Sequence, residues 1–212
     1  MKNLIIGAAT LACVLLGSHR SHAGIDCYRH SGGSCVEGRP HALPNSVAEF
    51  LALREKIGRT PKGGATLFVH ALNVYLHNEA LGMKLLTIAL APKNLIKGGT
   101  YKGFTPRSWD RRKLPLIKHY AYCVRGYSAG ATPANGYKLD RKAITVRFRT
   151  QSSYVGSIKS GRYRIFVCNT GTDSCRPTTL LRTSRGFWKT TEWSSYAMGC
   201  RRPVKKPTAD PL

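Results

Sequence analysis

Gly126-Tyr127-Ser128-Ala129-Gly130 matches G-x-S-x-G, the turn that presents a serine nucleophile in α/β-hydrolases. That chemistry needs a helix directly after the turn, and an acid and a histidine later in the chain. Here Pro133 and Asn135-Gly136 follow, and His119 is the last histidine. A glycine-rich turn accounts for the same five residues. His70 and His77 stand seven apart in an apolar segment and share a face of any helix built on it. About 10 Å of helix axis separates them, too far for one metal ion, so core or boundary positions suit them better. Cys123 with His119 as its base would make a thiol nucleophile. The cysteine count set out below argues instead for an oxidised sulfur.

The densest polar and aromatic stretches run from Gly171 to Pro177 and from Gly186 to Ser195. Within them Asp173, Ser174, Arg176, Trp188, Lys189 and Glu192 are candidates for a polar cluster at one end of a sheet. The plainer reading has Asp173 and Ser174 capping turn amides and the charges pairing structurally. Strand alternation puts Trp188 and Trp193 on opposite faces, one in the core and one at the rim, with Glu192 on the face of Trp188. Alternation also puts Arg147 and Arg149 on one face of their strand, and Arg162 and Arg164 on one face of theirs. If those strands pair, four guanidinium groups gather on one surface, a better match for phosphate or carboxylate than lysine offers. No Asp or Glu lies between Asp140 and Asp173 to neutralise them locally.

The chain as a whole carries 34 basic and 10 acidic residues, a formal charge of +24. Such a field draws anions and repels cations, and says nothing of the fold. Met1-Lys2-Asn3, the apolar run Leu4 to Gly17 and Ser21-His22-Ala23 form the three-part pattern of a secretory signal ending at residue 23. The run is shorter than the ~18 residues of a spanning helix, and no later segment is long enough, so no transmembrane segment is expected in the mature chain. Loss of Lys2 and Arg20 would leave +22, and loss of Cys13 would leave six of the seven cysteines. An even count in an exported chain argues for disulfides, though six cysteines allow 15 pairings. Local spacing suggests Cys27 with Cys35, Cys168 with Cys175, and Cys123 with Cys200. None has the C-x2-4-C spacing of a zinc site, and neither a metal nor any other cofactor is expected.

Residues 24–42 read as a disulfide-stapled arm, 43–200 as a single domain and 201–212 as a basic, proline-containing tail expected to be disordered. Ser46 with Glu49 forms a capping box for one helix, and Thr60-Pro61 opens a second, apolar on every side and therefore central. Leu81, Leu85 and Ile88 mark a third, which stops before Pro92. Glycines and prolines from Lys93 to Asp140 break any period, leaving room for a short helix near 111–120. From residue 143 the period becomes two, with further strands at about 162–168, 177–183 and 186–193. The fold class is therefore α+β, N-terminal helices packed on a C-terminal antiparallel sheet. A nuclear-transport-factor-like cone is one version of it, by analogy alone.

The stretches Gly171 to Pro177 (G-x-D-S-x-R-P) and Gly186 to Ser195 (G-x-W-K-x-x-E-W-S-S), with Thr132 to Tyr137, Thr60 to Ala65, Leu81-Gly82 and Leu86 to Ala89, together resemble a bacterial family known only as a domain of unknown function. The resemblance spans about Pro44 to Pro203 and brings no activity. It implies that the cysteines are a local adaptation to export. The function expected is non-catalytic: an exported, periplasmic or extracellular basic protein that binds an anionic polymer, an envelope surface or an acidic protein partner, with no specific nucleic-acid motif. Two alternatives stand beside it. One is a small cell-envelope hydrolase using Asp173 and Glu192, the other an inhibitor or immunity protein.

Overall fold

The computed structural model describes residues 35–149 and 156–205. The expected signal segment, Cys27 and the end of the tail lie outside them. Ser46 caps α1 (Val47–Ile57), its hydroxyl accepting from the Glu49 amide at 3.1 Å. The Glu49 carboxylate accepts from the Asn45 amide at 2.8 Å, one residue before the partner a capping box supplies. Thr60 caps α2 (Pro61–His77), accepting from the Gly63 amide at 3.0 Å, with Pro61 in the first turn where its missing N–H costs nothing. Asn78 closes α2 and caps α3 (Glu79–Ala89).

The strands are β1 (Cys35–Glu37), β2 (Leu95–Tyr101), β3 (Phe104–Pro106), β4 (Arg147–Arg149), β5 (Gly156–Ser157), β6 (Arg162–Cys168), β7 (Arg176–Arg182) and β8 (Trp188–Glu192). One antiparallel sheet runs β1-β4-β6-β7-β8, with β5 also paired to β6. Apart from β1, which comes from the N-terminal arm, the sheet follows the main helices in the chain and they pack on it, as the sequence predicts. Phe148, Ile165, Val167, Leu180 and Trp188 meet Phe68, Leu72 and Leu85 in the core. Helix α2 is buried from Gly63 to Tyr75, enclosed by α1, α3 and the sheet. A Cβ at Gly64 would lie 2.6 Å from the Trp188 carbonyl oxygen, so glycine is what lets the helix backbone rest on β8.

Lys93 to Asp140 holds more structure than its broken periodicity suggests. Strands β2 and β3 form a hairpin turning at Lys102-Gly103, both at positive φ. The short helix expected near 111–120 is one of three: α4 (Ser108–Arg111), α5 (Leu114–His119), which lies within that span, and α6 (Ala121–Arg125). Asp110 on α4 is buried and accepts from the Trp193 indole N–H at 2.8 Å, from Asn94 at 3.0 Å and from Lys113 at 3.3 Å. Asn94 also donates to the Thr191 carbonyl at 3.0 Å. A buried carboxylate is tolerated only with partners of this kind.

Trp193 is thus core, as is Trp188, and neither is at a rim. The reason is a bulge: Thr190 pairs with Leu180 and Glu192 with Thr179, leaving Thr191 as an extra residue that reverses the alternation. Glu192 therefore leaves the face of Trp188. The start of the tail is held rather than loose, since Arg201 N–H donates to the Gly171 carbonyl at 2.8 Å and Val204 N–H to that of Pro133 at 2.9 Å.

Candidate anion-binding surface

The expected polar cluster does not assemble. In an antiparallel meander successive turns fall at opposite ends of the sheet. Asp173, Ser174 and Arg176 belong to the β6–β7 end, and Lys189 to the β7–β8 end, roughly 20 Å away along β7. Asp173 pairs with Arg201, and both are exposed. The Ser174 carbonyl accepts from the Thr172 hydroxyl, and Arg176 donates to the Met198 carbonyl at 2.9 Å. Glu192 accepts from the Thr179 hydroxyl at 2.7 Å and lies 3.2 Å from Arg162 and 3.9 Å from Arg164. The Thr179 hydroxyl first, and the arginines with it, hold the Glu192 carboxyl below its ordinary range.

The four arginines share one face, as the alternation predicts, but Arg147 among them is buried. Arg147 pairs with Cys168 and Arg149 with Phe166, which places both on the strand face that also carries Arg162 and Arg164. That face is not uniformly solvated. Arg147 is 8% exposed, opposite Glu37 of β1, and burial lowers its pKa. Glu192 occupies the open end. Both acids come from outside the acid-free stretch, so a local count could not show them.

A different gathering of cations stands out at the junction of α1 and α2. One cleft of about 300 Å³ is lined by Arg39, His41, Lys56, Arg59 and Lys62. The next, about 270 Å³, shares Thr60 and Lys62 with it and adds Arg149 and Arg164 beside Tyr163 and Ile158. A third, about 370 Å³, is lined by Arg54, Lys102, Arg185 and Lys189 against Ile88, Leu95, Tyr101 and Phe104. Arg54 and Arg59 both stack on the Phe187 ring, at 4.5 and 4.7 Å, bridging the first cleft and the third. Among the described residues, no Asp or Glu lines any of the three. Glu55 is the nearest acid on α1, 2.9 Å from Arg54 and 3.8 Å from Arg59.

Fields of one sign leave their mark on the basic groups in these clefts. Burial, with Arg54 and Arg185 beside it, lowers Lys189 from 10.5 to about 8. Burial, with Lys56 and Arg39, lowers His41. Of the expected site residues only Arg149, Arg164 and Lys189 reach this surface. Arg39, Arg54, Lys56, Arg59, Lys62, Lys102 and Arg185 were missed, because they meet only through the fold.

The remaining candidates are structural. Ser128 is buried, bridges Val146 and has no hydrogen-bond partner for its hydroxyl among the described residues, while Tyr127 beside it stacks on Tyr196 at 4.4 Å. That is no place for a nucleophile. His70 is fully buried, its Nδ1–H donating to the Thr66 carbonyl at 2.9 Å. Cys123 is bonded to Cys200 and Cys168 to Cys175. The Cys35, Cys168 and Cys175 sulfurs lie within 4.8 Å of one another, but all three are disulfide-bonded and offer no thiolate to a metal.

Fold and surface together define an α+β protein cross-linked by disulfides, with cationic clefts, lined by no carboxylate among the described residues, around its first two helices and the sheet. The chain belongs to the family described as Domain of unknown function (DUF6935), whose sequence model matches residues 42–204. No curated protein and no solved structure matches it. Among the described residues, no helix is long and apolar enough to cross a membrane.

Proposed function

We propose that this is an exported, non-catalytic protein that binds an anionic component of a cell envelope through the basic belt around the α1–α2 junction. The observation that carries the reading is three adjoining clefts lined by cations, with no carboxylate among the described residues that line them. A solvated face normally mixes both signs. Guanidinium and ammonium groups held together at this density repel one another, and an anion relieves that repulsion. The disulfides and the signal pattern suit an oxidising compartment, where acidic polysaccharides and lipid head groups are the abundant anions. The exposed ion pairs at Asp173 and Glu192 give the hydrolase alternative no shared site.

Binding to a sulfated polysaccharide tests the reading. Changing Arg39, Lys56, Arg59 and Lys62 to Gln should weaken binding at least tenfold. Changing Lys97, Arg111, Lys138 and Lys142, which are exposed and outside the clefts, removes the same charge and should cost little. Equal losses in the two variants would mean that net charge alone is responsible.

A further inference from the structure

The third cleft differs from the other two in how its walls divide. Three of its four cations come from one side, Arg54 on α1 with Arg185 and Lys189 around the β7–β8 turn, and the fourth, Lys102, stands at the tip of the hairpin opposite. Its apolar wall comes from the other, Ile88 at the end of α3 and Leu95, Tyr101 and Phe104 on the β2–β3 hairpin. A volume of about 370 Å³ lies within the range of small-molecule sites. Two features mark the basic side as incomplete. The Arg54 Nε is buried with no hydrogen-bond partner among the described residues, although one of its terminal nitrogens reaches Glu55 at 2.9 Å. Lys189, which is not in any ion pair among the described residues, is largely removed from water with Arg54 and Arg185 as its charged neighbours.

We propose that this cleft binds an amphipathic anion, one alkyl chain of it against Ile88, Leu95, Tyr101 and Phe104 and its carboxylate or phosphate head among Arg54, Arg185 and Lys189. A half-buried cation among cations is poorly compensated in the empty protein, so a head group placed there recovers charge pairing. The chain gains from leaving water against a wall that is already formed. Neither half of the ligand suffices alone. The inference does not depend on polymer binding at the outer belt.

Calorimetric titration with octanoate at pH 7 tests it, with octanol as the uncharged control. Saturable one-site binding of octanoate is expected, at least tenfold tighter than octanol. Lys189→Met should reduce octanoate affinity at least tenfold and leave octanol unchanged. Arg185→Gln, on an exposed turn, should act in the same direction if the first variant fails to fold. Raising the pH through about 8 should weaken octanoate binding in the parent protein as Lys189 loses its proton. Vesicles of phosphatidylglycerol separate the two sources of such a head group. Binding to vesicles that is also lost in Lys189→Met points to a bilayer lipid, and binding of octanoate alone to a free acid. The variant lacking Arg39, Lys56, Arg59 and Lys62 should retain octanoate binding, which keeps this result separate from that for the polymer. Absence of saturable octanoate binding, octanol binding as tightly as octanoate, or parent-like affinity in both variants would overturn the proposal.

Discussion

At the scale of single residues, the chemistry that was legible is the chemistry that acts over a few positions. Ser46 and Thr60 cap helices because a hydroxyl reaches an amide three residues on, and that needs no knowledge of the rest of the fold. Asp110 is the opposite case. Its partner Trp193 is 83 residues away, and nothing local distinguishes this aspartate from a surface one. Asp110→Ala would leave an indole N–H and the Asn94 amide without their acceptor and Lys113 without its counter-ion. A loss of about 3 kcal/mol is expected, read as a drop in the urea midpoint at unchanged slope. Asp110→Asn, which keeps one acceptor, should lose less. A loss under about 1 kcal/mol for the alanine variant would show that the hub is not what fixes α4 to the end of β8.

At the scale of elements, the first three helices and the last three strands were predictable because caps, periods and stops mark them locally. The β2–β3 hairpin was not. Gly98-Gly99 sits inside β2, and glycine has low β-propensity, so the pair resembles a break. The bulge at Thr191 was also hidden, since it exists only relative to the pairing of β7, and it undid the face assignments of both Glu192 and Trp193. Helix α2 is a case where the element dictates a pH response. Buried on every side, it holds His70 neutral, its pKa lowered by burial from 6.5 to about 4 with His41 nearby. Between those values the unfolded chain binds a proton that the native protein does not, so stability falls as pH drops from about 6.5 towards 4. At about 1.36 kcal/mol per pH unit the loss approaches about 3 kcal/mol. His70→Leu should flatten most of that dependence. Some slope should persist, because burial lowers His41 and His77 as well. Identical pH profiles for the parent and the variant would contradict this assignment.

At the scale of the whole molecule, a formal charge of +24 was plain from composition and pointed to an anionic partner. Where that charge acts was not plain. The arginine strands share a face as alternation predicts, yet Arg147 is buried and Glu192 stands against Arg162 and Arg164. The belt that remains draws on residues from Arg39 to Lys189, brought together by the α1–α2 junction, the hairpin and the β7–β8 turn. No window of sequence contains it. The central claim is that this belt, and not diffuse charge, is where a polyanion binds. The salt dependence of binding to an oligothymidylate, used as a polyanion of known charge spacing, tests that claim most directly, because the slope of log affinity against log salt counts the phosphates neutralised. Removing Arg39, Lys56, Arg59 and Lys62 should lower the slope by about 2–3, at roughly 0.7 for each phosphate no longer neutralised, while removing Lys97, Arg111, Lys138 and Lys142 leaves it nearly unchanged. Equal slopes for the parent and the belt variant, or an equal drop in both variants, would contradict it.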